Sequence, residues 1–220
     1  MKTIAIANPA GGVGKTTLAH AIAVAASEFG KKTLLIDLDP AGSLTFRLGF
    51  ENPRLTITDY LTGTNISAEN LAATSERFDF IAADSRLITN LEEGALASLL
   101  QGLPKNYDLI VLDIAPSLTQ SLKLALTVAD HIFVPIDASL HSLRGLFQLR
   151  AITEIQVTSV ATGVVDIAAA PVLDVSLIYS SEIEGLAHGN VSVLTAAKES
   201  EVAESYRSAT YSILEILGLE

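Results

Sequence analysis

The chain has 220 residues, 49% hydrophobic and 18% charged, so it can bury the core of a folded α/β domain. It contains no cysteine, which excludes disulfides, thiolate zinc sites and thiolate-held iron–sulfur clusters. The formal net charge of −11 opposes a strong general attraction to nucleic acid unless the basic residues are clustered.

Apolar runs of strand length alternate with longer helical patterns along the chain. Strands are predicted at Thr3–Asn8, Thr33–Asp37, Phe78–Ala82, Leu109–Asp113, Ile132–Ile136, Pro171–Tyr179 and Val191–Leu194. Helices are predicted at Lys15–Phe29, Glu92–Gln101, Leu118–Ala129, Ser142–Thr158 and Ser200–Leu217. Nearly all-apolar strands are typical of parallel sheets covered on both faces. The pattern predicts a single α/β domain over 1–220, with a doubly wound, mostly parallel sheet and helices on both faces.

Two further segments are less regular. Residues 41–75 are polar and are expected to form an excursion with one or two short helices. The stretch Val157–Ala170 fits a helix, a strand or a buried loop equally well. Because no apolar run reaches about 20 residues, no membrane span is expected. The chain enters its first strand without a charged leader, so we expect a cytoplasmic protein.

The most informative segment follows the first predicted strand and reads Asn-Pro-Ala-Gly-Gly-Val-Gly-Lys-Thr-Thr over 8–17. Such a glycine-rich loop before a helix presents backbone amides and a helix N-terminus to phosphate. The strict phosphate-loop pattern has glycine where this chain has Pro9. The predicted phosphate-binding residues are Gly11, Gly12, Val13, Gly14, Lys15, Thr16 and Thr17. Lys15 is expected to bind the β- and γ-phosphates, and the Thr16 hydroxyl to bind magnesium.

Acidic residues end two of the predicted strands. Asp37 and Asp39 follow the apolar run at 33–36, and Asp113 ends the run at 109–112. Asp113 is expected to hold magnesium, with Asp39 as a further candidate ligand. Asp39 is also expected to orient or activate the attacking water, and Asp37 can support either residue. The alternative for each aspartate is a capping role at a strand end.

These motifs together resemble the ParA/MinD family of P-loop ATPases. The resemblance rests on Gly-Gly-Val-Gly-Lys-Thr-Thr, Leu-Leu-Ile-Asp-Leu-Asp-Pro and Tyr-Asp-Leu-Ile-Val-Leu-Asp, and it is closer to ParA than to MinD. It implies binding of ATP and Mg²⁺, an ATP-dependent homodimer, and slow hydrolysis stimulated by an adaptor of the ParB or McdB type. It also implies that the cycle positions a cargo, such as a plasmid, a chromosome origin or a protein assembly, often on nucleoid DNA.

The chain departs from the family at the position of the signature lysine, which reaches the partner's phosphates across the dimer. Ala10 stands there. McdA-type relatives also lack this lysine and use a basic residue from later in the chain. Arg144 is the candidate here, and the alternative is a solvated arginine at a helix start. Because Ala10 lacks the charge of the signature lysine, a further alternative is a nucleotide-gated binding module that catalyses little hydrolysis.

The charge distribution indicates how well the protein could bind nucleoid DNA or a membrane. From residue 145 onward there are three basic and ten acidic residues, which disfavours the cationic DNA contacts of many ParA relatives. Weak non-specific DNA binding would then need a patch drawn from Arg47, Arg54, Arg77, Arg86 or Lys123. The acidic final helix also argues against membrane binding of the MinD type.

Two predictions concern the nucleotide and its chemistry. Ile178-Tyr179-Ser180-Ser181 falls where relatives contact the base. The alternative hypothesis is that the protein is an ATP-dependent ligase of the dethiobiotin-synthetase type. Such an enzyme would need a pocket for a carboxylate substrate, and we find no sequence motif for one.

Overall fold

The computed structural model describes residues 1–88, 91–116, 118–165, 170–181 and 190–220. The strands are β1 (Lys2–Ile6), β2 (Thr33–Leu38), β3 (Ala72–Ala73), β4 (Asp79–Ile81), β5 (Leu109–Ile114), β6 (His131–Ile136) and β7 (Val157–Ala161). The α-helices are α1 (Lys15–Glu28), α2 (Ser43–Arg47), α3 (Ile57–Leu61), α4 (Ala95–Gln101), α5 (Gln120–Leu126), α6 (Leu140–Arg150), α7 (Val193–Ala196) and α8 (Glu201–Leu217). A short 3₁₀ helix covers Ser85–Ile88.

The strands form one seven-stranded sheet in the order β3-β4-β2-β5-β1-β6-β7, and only β3 is antiparallel to its neighbour. Every residue of β2, β5 and β6 is buried, as expected for central strands with helices on both faces. The predicted α/β class with a mostly parallel, doubly wound sheet is confirmed.

Successive residues of the central strands face opposite helical layers, so one sheet supports two cores. Ile4, Leu35 and Val111 pack in the core that contains α1 and α8. Ala5 and Leu112 pack in the core on the other side, with α4, α5 and α6. Because both faces are covered, the exposed edge at the carboxyl ends of the strands is left for a ligand.

Three of the predicted elements are wrong. The helix predicted at Ser142–Thr158 ends at Arg150, and the chain then enters strand β7. The segment Pro171–Tyr179 forms only isolated bridges to β7 and its end, at Val172 and Leu177. The strand predicted at Val191–Leu194 is instead the start of helix α7.

The other elements agree with the sequence to within a few residues. The polar excursion at 41–75 does contain two short helices, α2 and α3. In the described part of the chain, none of the helices is both long and apolar enough to cross a bilayer.

Candidate functional site

The loop between β1 and α1 turns directly into the first helical residue, Lys15. Gly14 caps α1 with φ 88°, in the left-handed region that glycine adopts without strain. The Lys15 ammonium donates a hydrogen bond to the carbonyl oxygen of Ala10 at 2.6 Å. Burial lowers the pKa of Lys15, while the charges of Asp113 and Asp39 act in the opposite direction. The amine is therefore held over the loop, where a phosphate would lie.

Asn8 fixes the start of this loop, a role that local sequence patterns did not reveal. Its side-chain amide donates to the carbonyl oxygens of Pro135 and Ser142, at 2.9 and 3.2 Å. Its Oδ1 accepts from the amide of Ala10 at 2.9 Å. Helix α6 approaches so closely that a Cβ built at Gly145 would lie 1.9 Å from Asn8 Oδ1. The phosphate loop is thus attached to the end of β6 and the beginning of α6.

Asp37 and Asp113 are register partners on β2 and β5, so both carboxyl groups lie at the edge where the loop begins. Asp37 accepts from the amide of Asp39 at 2.9 Å, and from the amide and hydroxyl of Thr45 at 2.9 and 2.7 Å. Burial raises the pKa of Asp37 to about 6, against the effect of these hydrogen bonds. Asp37 therefore holds α2 against the sheet.

Asp113 differs from Asp37 because neither of its carboxyl oxygens has a hydrogen bond, although both are fully buried. Burial raises its pKa well above the usual range, and the neighbouring charge of Asp37 adds to this effect. The Thr16 hydroxyl and the Lys15 charge favour the ionised form but do not satisfy the carboxylate geometrically. A buried acceptor of this kind is a candidate ligand for a cation.

Asp39 lies beyond the end of β2 and lines the same cavity. Its Oδ1 accepts from the amide of Ala41 at 2.9 Å. Its Oδ2 forms no hydrogen bond with the described residues, and the side chain is almost buried. Asp39 is thus oriented by its own turn and presents one oxygen toward the cavity.

A cavity of about 1000 Å³ extends from the phosphate loop along the sheet edge. All seven predicted phosphate-binding residues of the loop line it. Asp39, Arg47 and Asp137 bring charge to its wall. Of the segment expected near the base, Ile178, Tyr179 and Ser180 line the cavity and Ser181 does not. The structure therefore brings the phosphate loop, Asp39 and the base-contacting segment into one space, whereas Asp113 lies behind the cavity wall, close to Lys15 and Thr16.

Two further wall residues had not been expected there from the sequence. His20 is buried in α1, and its Nε2 lies 2.6 Å from Glu76 Oε2. Glu76 also accepts from the amide of Ser192 at 2.9 Å and from the Thr195 hydroxyl. This cluster joins α1, the β3–β4 turn and α7, which are far apart in sequence.

Arg47, considered above for a DNA patch, points into the cavity instead.

The donor set fits a small divalent cation that shares its ligands with phosphate. Mg²⁺ at such sites is held by one or two protein oxygens, phosphate oxygens and water, so a cluster of three acidic or histidine ligands is not required. The described residues contain no such cluster, whereas the unsatisfied Asp113 carboxylate and the nearby Thr16 hydroxyl suit the smaller set.

Comparisons with known proteins agree with this geometry. The family model described as AAA domain (AAA_31) matches residues 1–162. The chromosome-partitioning ATPase Soj of Thermus thermophilus is 36% identical over 157 residues, which cover 70% of this chain and 62% of that protein.

The chain belongs to the ParA/MinD family of P-loop ATPases.

Two solved structures of similar fold cover nearly the whole chain. The cobyrinic acid a,c-diamide synthase of Mycobacterium smegmatis, with a bound ATP analogue and magnesium, has a TM-score of 0.80 and 26% identity. The alignment covers 99% of this chain and 95% of that one. Apo McdA of Cyanothece has a TM-score of 0.80 at 19% identity and shares the fold, with 97% and 99% of the two chains covered. In sequence, the chain spans 49–63% of the length of several curated relatives.

The position of the ParA/MinD signature lysine is buried in this chain. Ala10 is 2% exposed, and its carbonyl and amide are engaged by Lys15 and Asn8. Arg144, the candidate replacement, lies in α6, is exposed and does not line the cavity. Its role in a dimer stays a prediction.

Proposed function

We propose that the protein binds ATP with Mg²⁺ in this cavity and catalyses cleavage of the β–γ phosphoanhydride bond by water, which gives ADP and inorganic phosphate. The observation that carries the proposal is the fully buried, unsatisfied carboxylate of Asp113, which lies beside the phosphate loop. Folding a chain with such a group is costly unless a ligand completes it. A phosphate-bound magnesium ion is the ligand that this setting suits.

The predicted phosphate-loop and acidic residues each have a place in this proposal. The loop amides of 11–17 and the Lys15 ammonium bind the phosphates. Thr16 and Asp113 hold the magnesium ion, with Asp39 as a further candidate ligand. A magnesium ion held there would supply the positive charge that offsets charge developing on the phosphates. Asp39 orients the attacking water through its free Oδ2, while Asp37 keeps α2 and the Asp39 turn in place.

The proposed cycle is that of a positioning ATPase. Binding of ATP brings two chains together, and an adaptor of the ParB or McdB type stimulates hydrolysis. The support is the similarity to the chromosome-partitioning ATPase and the fold shared with McdA. The acidic charge of residues 145–220 supports only weak non-specific DNA contacts.

The dimer step is tested by light scattering after size exclusion, with ADP and with a slowly hydrolysed ATP analogue. The proposal predicts a monomer with ADP and a dimer with the analogue. Arg144→Ala is expected to weaken the analogue-dependent dimer, whereas Lys123→Ala, which alters another exposed cation, is the control. Equal dimerisation of all three proteins would remove Arg144 from the site. A parent that stays monomeric with the analogue would reject the cycle.

The ligase alternative is distinguished by substrate dependence. The comparisons favour a positioning ATPase, although one similar structure is that of an amide-forming synthase. A ligase turns over ATP only with its carboxylate substrate, whereas the proposed ATPase hydrolyses ATP alone and faster with a protein partner. ATP turnover of the purified chain therefore separates them. Binding without turnover under all conditions would indicate the nucleotide-gated binding module.

A further inference from the structure

Arg47 is the last residue of α2, and its guanidinium contacts the phosphate-binding helix α1. Its Nη1 donates a hydrogen bond to the Thr17 hydroxyl at 2.9 Å. Thr17 is the third residue of α1, two positions after Lys15. Arg47 lines the cavity and is only partly exposed. A second cation is thus aimed at the region where the loop would hold phosphate.

The charge of Arg47 is not neutralised by the protein. Among the described residues, no carboxylate forms an ion pair with it, and its one hydrogen bond is to a neutral hydroxyl. Four of its five N–H donors have no protein acceptor in this part of the chain. A partly buried guanidinium in this state favours an anion that accepts two hydrogen bonds at once.

The surroundings of Arg47 indicate that it acts from within its own chain. It lies close enough to Asp113 and Tyr206 for their charges to affect its pKa, which burial lowers. Burial likewise raises the pKa of Tyr206 to about 12, and the Arg47 charge opposes that rise. The guanidinium therefore lies between α1, β5 and α8 of its own chain.

We propose that Arg47 binds the phosphate chain of the nucleotide in cis and supplies positive charge that Ala10 does not provide. This inference rests on the proposed function. It also gives α2 a direct connection to the nucleotide, because α2 is otherwise held through the Thr45 contacts to Asp37.

The inference is tested by calorimetric titration with ADP and with adenylyl imidodiphosphate, each with Mg²⁺. Arg47→Ala and Arg47→Gln are compared with Arg54→Ala, which removes an exposed arginine outside the cavity wall. Loss of a charge-assisted hydrogen bond at such a site predicts about 10–100-fold weaker binding for both Arg47 variants. Arg47→Lys should recover part of the loss, because it restores the charge without the planar fork.

A second readout separates direct phosphate contact from a folding effect. Neutralising Arg47 should reduce the dependence of nucleotide affinity on salt, because one cation fewer meets the phosphates. Circular dichroism and thermal unfolding verify that the variants fold. If the parent binds nucleotide and both neutral variants bind it equally well with the same salt dependence, the role of Arg47 is overturned. If the parent binds no nucleotide, the proposed function itself has failed.

Discussion

Asp37 and Asp113 are paired across β2 and β5, yet only Asp37 has hydrogen-bond donors for its carboxylate. The two residues have the same side chain at the same sheet edge, and both are completely or almost completely buried. Asp37 is satisfied by the turn that follows it, so its role is structural. Asp113 is left for a ligand, and the molecule gives up stability in the apo state to keep it so.

The first prediction concerns the balance between stability and activity at Asp113. Asp113→Asn removes a buried charge, so we expect the free energy of unfolding at pH 8 to rise by about 1–2 kcal/mol. Because the folded-state pKa of Asp113 is raised, this residue alone costs no stability at low pH and becomes destabilising as pH rises above its usual unfolded-state pKa. The variant should lack this part of the slope, as measured by urea unfolding across pH.

The same substitution should impair catalysis. Loss of a magnesium ligand is expected to lower the magnesium-dependent ATP turnover by about a hundredfold or more. A variant that is less stable than the parent at pH 8, or one with unchanged turnover, would contradict the assignment of Asp113.

The second prediction separates binding from hydrolysis at Asp39. Asp39→Ala removes the oxygen that faces the cavity but not the loop that holds phosphate. We expect about 10²-fold or slower single-turnover hydrolysis with the affinity for ATP largely retained. Asp174→Ala, which alters an exposed aspartate outside the cavity wall, is the matched control. Equal turnover of Asp39→Ala and the parent would reject the role of Asp39.

The third prediction concerns the close approach of α6 to the loop. Gly145→Ala gains about 1 kcal/mol of helix propensity but places a methyl group on Asn8, where overpacking costs about 1–3 kcal/mol. At 1.9 Å the overlap should dominate, so we expect lower stability and weaker nucleotide binding. The control is Gly102→Ala, whose nearest contact would be an ordinary 3.5 Å. A Gly145→Ala variant more stable than the parent would show that Asn8 does not fix this interface.

The fourth prediction concerns the buried cluster around Glu76. Its pKa is lowered because the hydrogen bonds from His20, Thr195 and Ser192 outweigh the opposing effect of burial. Glu76→Gln should lower the free energy of unfolding by about 1–3 kcal/mol at pH 7. A lowered pKa means that the stabilisation is present above the usual value of 4.5 and is lost as pH falls through the lowered value.

The difference between Glu76→Gln and the parent should therefore shrink in acid, as followed by urea unfolding from pH 7 to pH 3. The control is Glu69→Gln, since Glu69 is exposed and has no hydrogen bond among the described residues. A difference that grows in acid would mean that the cluster is held by something other than the ionised carboxylate.

Local sequence patterns were sufficient to predict the central strands of the sheet and the phosphate-binding loop at 8–17. The apolar runs of β1, β2, β5 and β6 are long enough to identify buried strands, and a phosphate loop is a contiguous motif. Local patterns did not predict where α6 ends within 142–158, because no glycine or proline separates the end of α6 from the β-branched residues of β7. Strand β7 is defined by its pairing with β6, which only the folded chain shows.

The remaining parts of the site depend on contacts between distant residues. Val191–Leu194 has the composition of a strand, but Ser192 caps α7 and its amide bonds to Glu76, 116 residues earlier. Asn8 is held by residues more than 120 positions away. Arg47 looks like any charged residue of a short surface helix until the fold brings it to Thr17. No local pattern could identify these roles.

We propose that Asp113 and the phosphate loop form one site for magnesium-bound ATP. The most direct test is calorimetric titration of the folded parent and of Lys15→Ala with a slowly hydrolysed ATP analogue, with and without Mg²⁺. We expect one analogue bound per chain, tighter binding with Mg²⁺, and a large loss of affinity in Lys15→Ala. Absence of binding to the folded parent, or identical binding by Lys15→Ala, would contradict it.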